Sequence, residues 1–433
     1  MNTEQQAAQA KQASIRLAAV QRDVKNAALQ AIGEAIKRDA ARIIDANRMD
    51  LDKAAAENLA APLLKRLKFD EGKIKEVYDG LSSLASLPDP VGRTISAMEL
   101  DQGLELFKVS CPIGVIGIVF ESRPDALVQI SSLCLKSGNA VLMKGGSEAA
   151  NTNSILAGII DEASAKSGIP SGWLTLLKAR SDVTEMLKLD RYIDLIIPRG
   201  SNEFVRHIMQ NTNIPVMGHA DGICHVYVDK QADMEMAVKI VIDSKTQYVA
   251  VCNAAETLLV HKDIASGFLP KVQAALEEKG VEIRGCERTT EIIEAGSATE
   301  EDWATEYLDL ILSIKVVSSL DEAIDHINQY GSGHTDVIVT SDQSRGMQFM
   351  DYVDSAGVFM NCSSRFSDGF RYGLGAEVGI STSKIHARGP VGLEGLVIYK
   401  WRLIGDGHTV TEFSGRDGKS FTHRRLEKDY GSR

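Results

Sequence analysis

Cys252 is the residue of this sequence best placed for covalent chemistry. It lies in Val251-Cys252-Asn253-Ala254, between a segment with helical periodicity, 234–248, and an apolar run, 256–260, that predicts a strand. A thiol at such a turn can be exposed, whereas most cysteines are buried and inert. Because a free thiol has a pKa of about 8.5, reactivity at neutral pH requires a local activator. The sequence does not identify that activator.

Lys144 and Gly200-Ser201 end two other apolar runs and are candidates for binding a phosphorylated ligand. The runs 140–144 and 193–197 predict parallel strands, and open α/β sheets bind ligands at the carboxyl edge of their strands. Ser201 would begin a helix whose free backbone N–H groups can bind an anion. Taken alone, Lys144 is better explained as a solvated surface lysine, and an ordinary N-cap serine is the alternative interpretation of Ser201.

His219 raises the question of a metal or phosphate site. His219, Cys224 and His225 are zinc-binding residue types, but their spacing matches no closed zinc pattern and two of them lie on a predicted strand, so we expect no metal. A partly cationic imidazole at position 219 would contact a phosphate. A hydrogen-bonded structural histidine is the alternative.

The chain pattern predicts a large α/β scaffold that would position these residues. Ala-, Leu- and Lys-rich sequence from about Gln5 to Leu84 predicts a layer of amphipathic helices, and apolar runs that alternate with helical segments then predict two sets of parallel strands. The first set covers 113–120, 140–144, 174–177, 193–197 and 224–228. The second covers 256–260, 281–284, 311–317, 336–339 and 357–360.

Composition excludes several classes of protein. The net charge is −11 over 433 residues and no basic tract reaches five residues, so a nucleic-acid partner is not expected. No apolar run approaches the ~18 residues of a membrane span, so no membrane partner is expected. The six cysteines show no CxxC spacing and the N-terminus has no signal-peptide pattern. We therefore expect a reducing, cytoplasmic compartment.

Four segments, in this order, resemble the aldehyde dehydrogenase superfamily, and together they cover most of residues 10 to 405. Segments 112–120 and 138–144 resemble its first βαβ unit, 198–203 resembles its Gly-Ser turn, and 251–254 resembles its nucleophilic cysteine. Three further segments are similar to the γ-glutamyl phosphate reductase family within it: 120–124, 331–335 and 368–379.

The resemblance implies an aldehyde dehydrogenase-like α/β fold with two Rossmann-like domains and an oligomerisation β-ribbon. The expected boundaries are 1–92 and 109–228 for the cofactor-binding domain, 229–391 for the catalytic domain, 93–108 and 392–405 for the ribbon, and 406–433 for an exposed polar tail. A homo-oligomer is expected, of a size that the sequence does not reveal.

The resemblance also implies NADPH as cofactor. Lys144 would bind the adenosine ribose, Gly200 and Ser201 the pyrophosphate, and Glu306 the nicotinamide ribose. Ser147 stands where NAD-preferring members usually carry a glutamate, and a serine at a helix N-terminus beside Lys144 leaves room for a 2′-phosphate.

The substrate side departs from the superfamily pattern. Hydrolytic members carry a glutamate base roughly thirty residues before the cysteine, but here the matching stretch, 216–222, has none. An oxyanion-binding asparagine is also replaced, by Ser122-Arg123. The residues expected around the substrate and its oxyanion are Ser122, Arg123, Arg199, His219 and Asn253, with Arg365 and Arg371 as further candidates for anions.

The implied reaction is NADPH-dependent reduction of L-glutamyl 5-phosphate to L-glutamate 5-semialdehyde and phosphate, through a thioester on Cys252. It is the second step of proline biosynthesis, and functional coupling to the kinase that makes the acyl phosphate is a further expectation. One alternative is NAD(P)-dependent oxidation of another small semialdehyde. The other is a catalytically inactive binding or scaffold relative.

Overall fold

The computed structural model describes residues 1–59, 61–121, 123–179, 181–219 and 221–431. Within these ranges the helices are α1 (Thr3–Leu17), α2 (Arg22–Arg38), α3 (Ala40–Ala56), α4 (Ala61–Leu67), α5 (Glu71–Ser86), α6 (Pro124–Lys136), α7 (Ala150–Lys166), α8 (Ser181–Met186), α9 (Asn202–Gln210), α10 (Met234–Thr246), α11 (Lys262–Glu277), α12 (Glu287–Thr290), α13 (Leu320–Tyr330) and α14 (Gln343–Tyr352). The predicted N-terminal helical layer is α1 to α5.

The strands lie close to the predicted apolar runs. They are β1 (Thr94–Asp101), β2 (Leu104–Pro112), β3 (Val115–Phe120), β4 (Ala140–Gly145), β5 (Leu174–Leu176), β6 (Leu195–Arg199), β7 (Cys224–Val228), β8 (Ala255–His261), β9 (Glu282–Gly285), β10 (Gly296–Ser297), β11 (Ile311–Val317), β12 (Thr335–Val339), β13 (Gly357–Met360), β14 (Gly379–Ser381), β15 (Gly389–Val391), β16 (Val397–Ile404) and β17 (Arg424–Leu426).

The first domain is built on a parallel sheet of four strands in the order β5-β4-β3-β6. Every residue of β3 and β4 is buried, because α1, α2, α6 and α7 contribute to one apolar core with these strands. Burial on both faces explains why these strands are continuous apolar runs without alternation. The sheet brings Lys144 and Arg199 to its carboxyl edge.

The second domain is built on a parallel sheet of seven strands in the order β10-β9-β11-β8-β7-β12-β13. Side chains alternate between its faces: Val226 and Val228 pack with α10 and α11, whereas Tyr227 packs with α13 and α14. Strand β7 pairs with β8 and β12. Its placement in the first set of strands, and with it the boundary at residue 228, is therefore wrong, because an apolar run does not show which sheet a strand joins.

The predicted β-ribbon is part of a four-stranded antiparallel sheet in the order β16-β2-β1-β17. The tail after residue 405 is largely exposed, as expected, but it also adds β17, which pairs with Ala97–Glu99 of β1. Among the described residues, no helix combines the length and the hydropathy needed to cross a bilayer.

Candidate active site

The two domains bring opposite sheet edges together around Cys252. Arg199 ends β6 of the first sheet, and its charge acts on the Cys252 thiol of the second domain. Asn202, at the start of α9, hydrogen-bonds the Glu306 carboxylate of the second domain. The rings of His219 and His334 meet edge to face, 5.0 Å apart. The candidate site is therefore the cleft between the domains.

The Cys252 loop is held by the turn that leads into β7. Cys252 precedes β8 by three residues, and a Cβ atom on Gly222 would overlap the Cα and carbonyl oxygen of Cys252. The Cys224 thiol donates a hydrogen bond to that carbonyl, 3.2 Å away. Only glycine at position 222 permits this close backbone approach.

His334 is a candidate functional residue to which the sequence analysis gave no role. It immediately precedes β12, is fully buried, and places Nε2 3.2 Å from the Cys252 Sγ. Its Nδ1 lies 2.9 Å from the Thr335 hydroxyl. The signal was present in segment 331–335, which we used only for a family resemblance. The structure thus supplies the thiol with a neighbouring base.

The electrostatics of this pair favour its neutral form. Burial raises the pKa of Cys252 to about 12, and the Glu306 carboxylate adds to the increase, whereas Arg199 opposes it. Burial also lowers the pKa of His334 well below that of an ordinary histidine, with a further contribution from His219. At neutral pH the resting arrangement is therefore a protonated thiol beside an unprotonated imidazole.

His219 is brought into the site, but not as a cation. Its Nδ1 donates to the Ile380 carbonyl at 3.0 Å, and burial, helped by Arg199, lowers its pKa. The partly cationic imidazole predicted from the sequence is therefore wrong. The zinc-type trio considered there does not assemble either, because His225 pairs with the buried Asp336 at 2.8 Å.

Arginines and a carboxylate surround the thiol on the substrate side. Arg199 is half-buried and Arg123 is exposed, where it pairs with Asp125 at 3.3 Å. Both arginines act on the Glu377 carboxylate, whose pKa burial raises. The cleft therefore offers two guanidinium groups to an anionic substrate.

Three other residues that the sequence predicts around the substrate differ in where they lie and what they contact. The Asn253 side chain is buried and donates to the Ser367 carbonyl at 2.8 Å, so its amide N–H anchors a loop. Arg365 is buried, donates to Gln247, and accepts at its carbonyl from Arg371 at 2.8 Å. Ser122 lies outside the described residues.

The predicted nucleotide-binding residues line the carboxyl edge of the first sheet. Lys144, at the end of β4, is buried and donates to the Gly145 carbonyl at 2.5 Å. Ser147 is exposed at the start of a short 3₁₀ turn. The Glu148 side chain, to which the sequence analysis gave no role, folds back over Gly146. Its carboxylate occupies the position that a Cβ atom on that glycine would take. A carboxylate therefore stands beside the space expected for a 2′-phosphate.

The second part of this edge is the start of α9. Ser201 is its N-cap, and its hydroxyl accepts from the Phe204 backbone N–H at 3.4 Å. Gly200 packs closely against Glu121 and Phe204, and a Cβ atom there would lie 2.9 Å from both side chains, so they would have to shift. Glu306, linked through Asn202, lies at the same end of the helix. These groups meet where a pyrophosphate and a ribose would approach the thiol.

Comparison with known proteins agrees with this architecture. The aldehyde dehydrogenase family model matches residues 2–301. The chain is 64% identical over 431 residues to a γ-glutamyl phosphate reductase from Pelotomaculum thermopropionicum, covering 100% of this chain and 99% of that protein. It is 63% identical to the enzyme of the same name from Acetivibrio thermocellus, covering 99% and 100%.

A solved structure supports the same assignment. The crystal structure of γ-glutamyl phosphate reductase from Thermotoga maritima has 41% sequence identity to this chain and a TM-score of 0.92, covering 94% of this chain and 100% of that one. The predicted fold class is thereby confirmed. The chain belongs to the aldehyde dehydrogenase family and, within it, to the γ-glutamyl phosphate reductases.

Proposed function

We propose that this chain reduces L-glutamyl 5-phosphate to L-glutamate 5-semialdehyde and inorganic phosphate with NADPH, the second step of proline biosynthesis. The observation that carries the proposal is the Cys252 Sγ lying 3.2 Å from a buried, unprotonated His334 Nε2. Full-length identity to enzymes named γ-glutamyl phosphate reductase supports the choice of substrate.

In the acylation step, the Cys252 sulfur attacks the acyl carbon and His334 Nε2 takes the thiol proton. The carbon–oxygen bond to phosphate breaks, and phosphate leaves with that electron pair. A general base is needed because burial leaves the thiol protonated at neutral pH. Arg199 and Arg123 would hold the phosphate, and the departing anion removes the need for a hydrolytic base.

In the reduction step, the thioester carbon accepts a hydride. When bound, the nicotinamide cofactor supplies that hydride. The resulting tetrahedral oxyanion is stabilised by the Cys252 backbone N–H and a guanidinium group. Collapse of the oxyanion then expels the thiolate, which regains a proton from His334, and releases the aldehyde. His334 thus accepts one proton and returns one in each cycle.

The chain's residues fit a dinucleotide at the first domain. The α9 N-terminus with Gly200 and Ser201 suits a pyrophosphate, and Glu306 beside Asn202 suits a ribose. Lys144 and Ser147 support NADPH over NADH, whereas Glu148 opposes it. Glu148→Gln decides between these influences: a higher NADPH-to-NADH ratio of kcat/KM is expected if its charge repels the 2′-phosphate. A lower ratio would show that the carboxylate itself favours NADPH binding.

The deciding experiment follows NADP reduction with glutamate 5-semialdehyde, with and without phosphate. Phosphate-dependent turnover in the wild type, lost in Cys252→Ala and kept in Cys111→Ala, is the expected result. Cys111 is a suitable control because it is a half-buried thiol on the ribbon strand β2. Turnover without phosphate would instead support oxidation of a semialdehyde. Cofactor binding without turnover would support a scaffold role.

We also propose that the protein acts as a homo-oligomer in the cytoplasm. Strand β16 is an edge strand and exposes Tyr399, Trp401 and Leu403, each at least half exposed. Such an apolar edge is typical of subunit contacts. All six cysteines are free thiols, which suits a reducing compartment. Sedimentation analysis of wild type and Trp401→Lys tests the assembly: a monomeric variant supports the ribbon contact, and an unchanged mass contradicts it.

A further inference from the structure

Three potential metal ligands converge at the nucleophile. The ligand atoms of His219, Cys252 and His334 all lie within 4.8 Å of one another. In tetrahedral zinc sites, sulfur and nitrogen ligands stand about 3.6 Å apart and two nitrogens about 3.3 Å, as follows from Zn–S and Zn–N bond lengths. Modest side-chain rotations therefore suffice to bring the three atoms into a zinc coordination sphere.

Both histidines have hydrogen-bond partners at Nδ1 that favour zinc binding through the other ring nitrogen. His219 Nδ1 donates to the Ile380 carbonyl, so its Nε2 carries the lone pair. His334 Nδ1 lies 2.9 Å from the Thr335 hydroxyl, and its Nε2 faces the Cys252 sulfur. Metal-bound histidines generally donate their second ring N–H in this way.

The charges around the thiol are mixed. The carboxylates of Glu306 and Glu377 act on Cys252, and so do the guanidinium groups of Arg199 and Arg365. A bound zinc ion deprotonates a coordinating thiol outright. The balanced step forms one Zn–S bond and releases the thiol proton to the buffer, with no oxidant or reductant.

We propose that Cys252, His219 and His334 form an inhibitory zinc site, in which Zn²⁺ occupies the nucleophile and its base together. Three protein ligands leave the fourth position of a tetrahedral site for water. Metal binding stands on this geometry alone, whereas the inhibition rests on the proposed function of Cys252. Zinc and acyl phosphate then compete for the same sulfur, so turnover requires a metal-free enzyme.

The test measures binding directly, without substrate. Zn²⁺ is titrated into the full-length protein against a chromophoric chelator, and Co²⁺ is used as a spectroscopic probe of thiolate ligation. We expect one ion per chain and a thiolate-to-cobalt charge-transfer band. Cys252→Ser, His219→Asn and His334→Asn should each weaken binding by at least about 100-fold, because a lost ligand costs more than a lost outer-shell partner. The asparagine variants keep an N–H donor near the Nδ1 position.

Cys111→Ser is the matched control and should bind zinc as the wild type does. Unchanged affinity in Cys252→Ser overturns the proposal, and so does a cobalt spectrum of the wild type without thiolate character. Loss in Cys252→Ser alone, with both histidine variants unaffected, would show capture by a single thiol and also overturn it. Each of these outcomes is independent of turnover, so failure of the zinc site is distinguishable from failure of the reductase function.

Discussion

The two parallel sheets meet the cleft with opposite edges. In the four-stranded sheet, the candidate binding groups lie at the carboxyl ends of the strands: Lys144 is the second-last residue of β4 and Ser201 comes two residues after β6. In the seven-stranded sheet, the reactive groups precede the strands: Cys252 lies before β8 and His334 before β12. Gly222 likewise precedes β7. One domain therefore offers its carboxyl edge to a ligand, and the other offers its amino edge.

This difference separates binding from covalent chemistry. The carboxyl edge carries helix N-termini, whose free N–H groups and dipoles suit phosphates. The amino edge of a parallel sheet lacks helix N-termini of this kind, but β8, β7 and β12 are hydrogen-bonded neighbours there. Their leading residues can therefore hold a thiol and an imidazole at hydrogen-bond distance. The predictions below test this division of roles.

The largest effect is expected for His334→Asn, at the amino edge. Asparagine keeps a donor near Thr335 but removes the nitrogen beside Cys252. Because a positioned general base contributes about 10²–10⁴-fold, kcat/KM should fall by that range. The control is His326→Asn, a buried histidine on α13 of the same domain, which should keep near-wild-type kcat/KM. Wild-type rates in His334→Asn would place the base elsewhere.

Gly222→Ala should have the next largest effect. The added methyl group overlaps the Cys252 backbone, so the thiol must shift away from His334. A displacement of roughly 1 Å lowers a rate about 100-fold, and we expect this loss in kcat. Gly158→Ala on α7 is the matched control, because a Cβ there meets no atom within 4 Å. A fully active Gly222→Ala protein would contradict the close packing of this loop.

Ser201→Ala tests the carboxyl edge of the first sheet. Losing an N-cap costs about 1 kcal/mol, which corresponds to roughly fivefold in affinity if the ordered helix terminus binds the cofactor. The KM for NADPH should rise by this factor with little change in kcat. Ser319→Ala removes the equivalent N-cap of α13, at the carboxyl edge of the other sheet, where Ser319 accepts from Glu322 N–H at 3.1 Å. Equal increases in the KM for NADPH in Ser201→Ala and Ser319→Ala would contradict a binding role specific to the carboxyl edge of the first sheet.

The smallest kinetic effect is expected for Arg345→Leu, at the carboxyl edge of the seven-stranded sheet. Arg345 pairs with the buried Asp229 at 2.5 Å, and removal of one partner of a buried pair costs about 3–5 kcal/mol of unfolding free energy. Kinetic constants should stay near wild type below the unfolding temperature. Denaturant unfolding and steady-state kinetics of the same preparation check both parts.

The pH dependence of that loss has a defined sign. Burial raises the pKa of Asp229, but the hydrogen bonds from Arg345 and Tyr227, together with the charge of Arg345, outweigh it and leave the pKa below the ordinary value of 3.8. The stability that this carboxylate contributes is therefore present above that value and is lost as the pH falls through the folded-state pKa. The difference between wild type and Arg345→Leu should shrink below about pH 4. A difference that grew with acid would contradict the ion pair.

The sequence predicted the elements better than their assembly. Strands β3, β4 and β11 follow from apolar runs, because burial on both faces leaves a continuous hydrophobic signal. The same signal misplaced β7, since local periodicity carries no information on pairing partners. The short β17 escaped prediction because its pairing with β1 depends on a contact more than 300 residues away.

The candidate site divides in the same way. Lys144, Gly200 and Ser201 were predicted to bind a nucleotide because a general rule connects carboxyl edges with nucleotides, and the structure places all three at such an edge. No comparable rule connects the amino edges of parallel sheets with a function. His334 therefore entered the sequence analysis only as part of the family motif at 331–335, without a role of its own. The charge of His219 was predicted wrongly because its burial and its bond to Ile380 arise from residues distant in the chain.

Arg199 stands on one sheet and acts on a thiol that stands beside the other. If the cleft opened, this guanidinium would move away from Cys252 and water would reach the sulfur, so the thiol would lose its positive neighbour and its burial together. The two losses act on the thiol pKa in opposite directions, because burial raises that pKa and Arg199 lowers it. Closure around the ligand returns the positive charge to the sulfur at the step in which the thiolate must form, so the help that Arg199 gives to the nucleophile depends on how the two domains stand relative to each other.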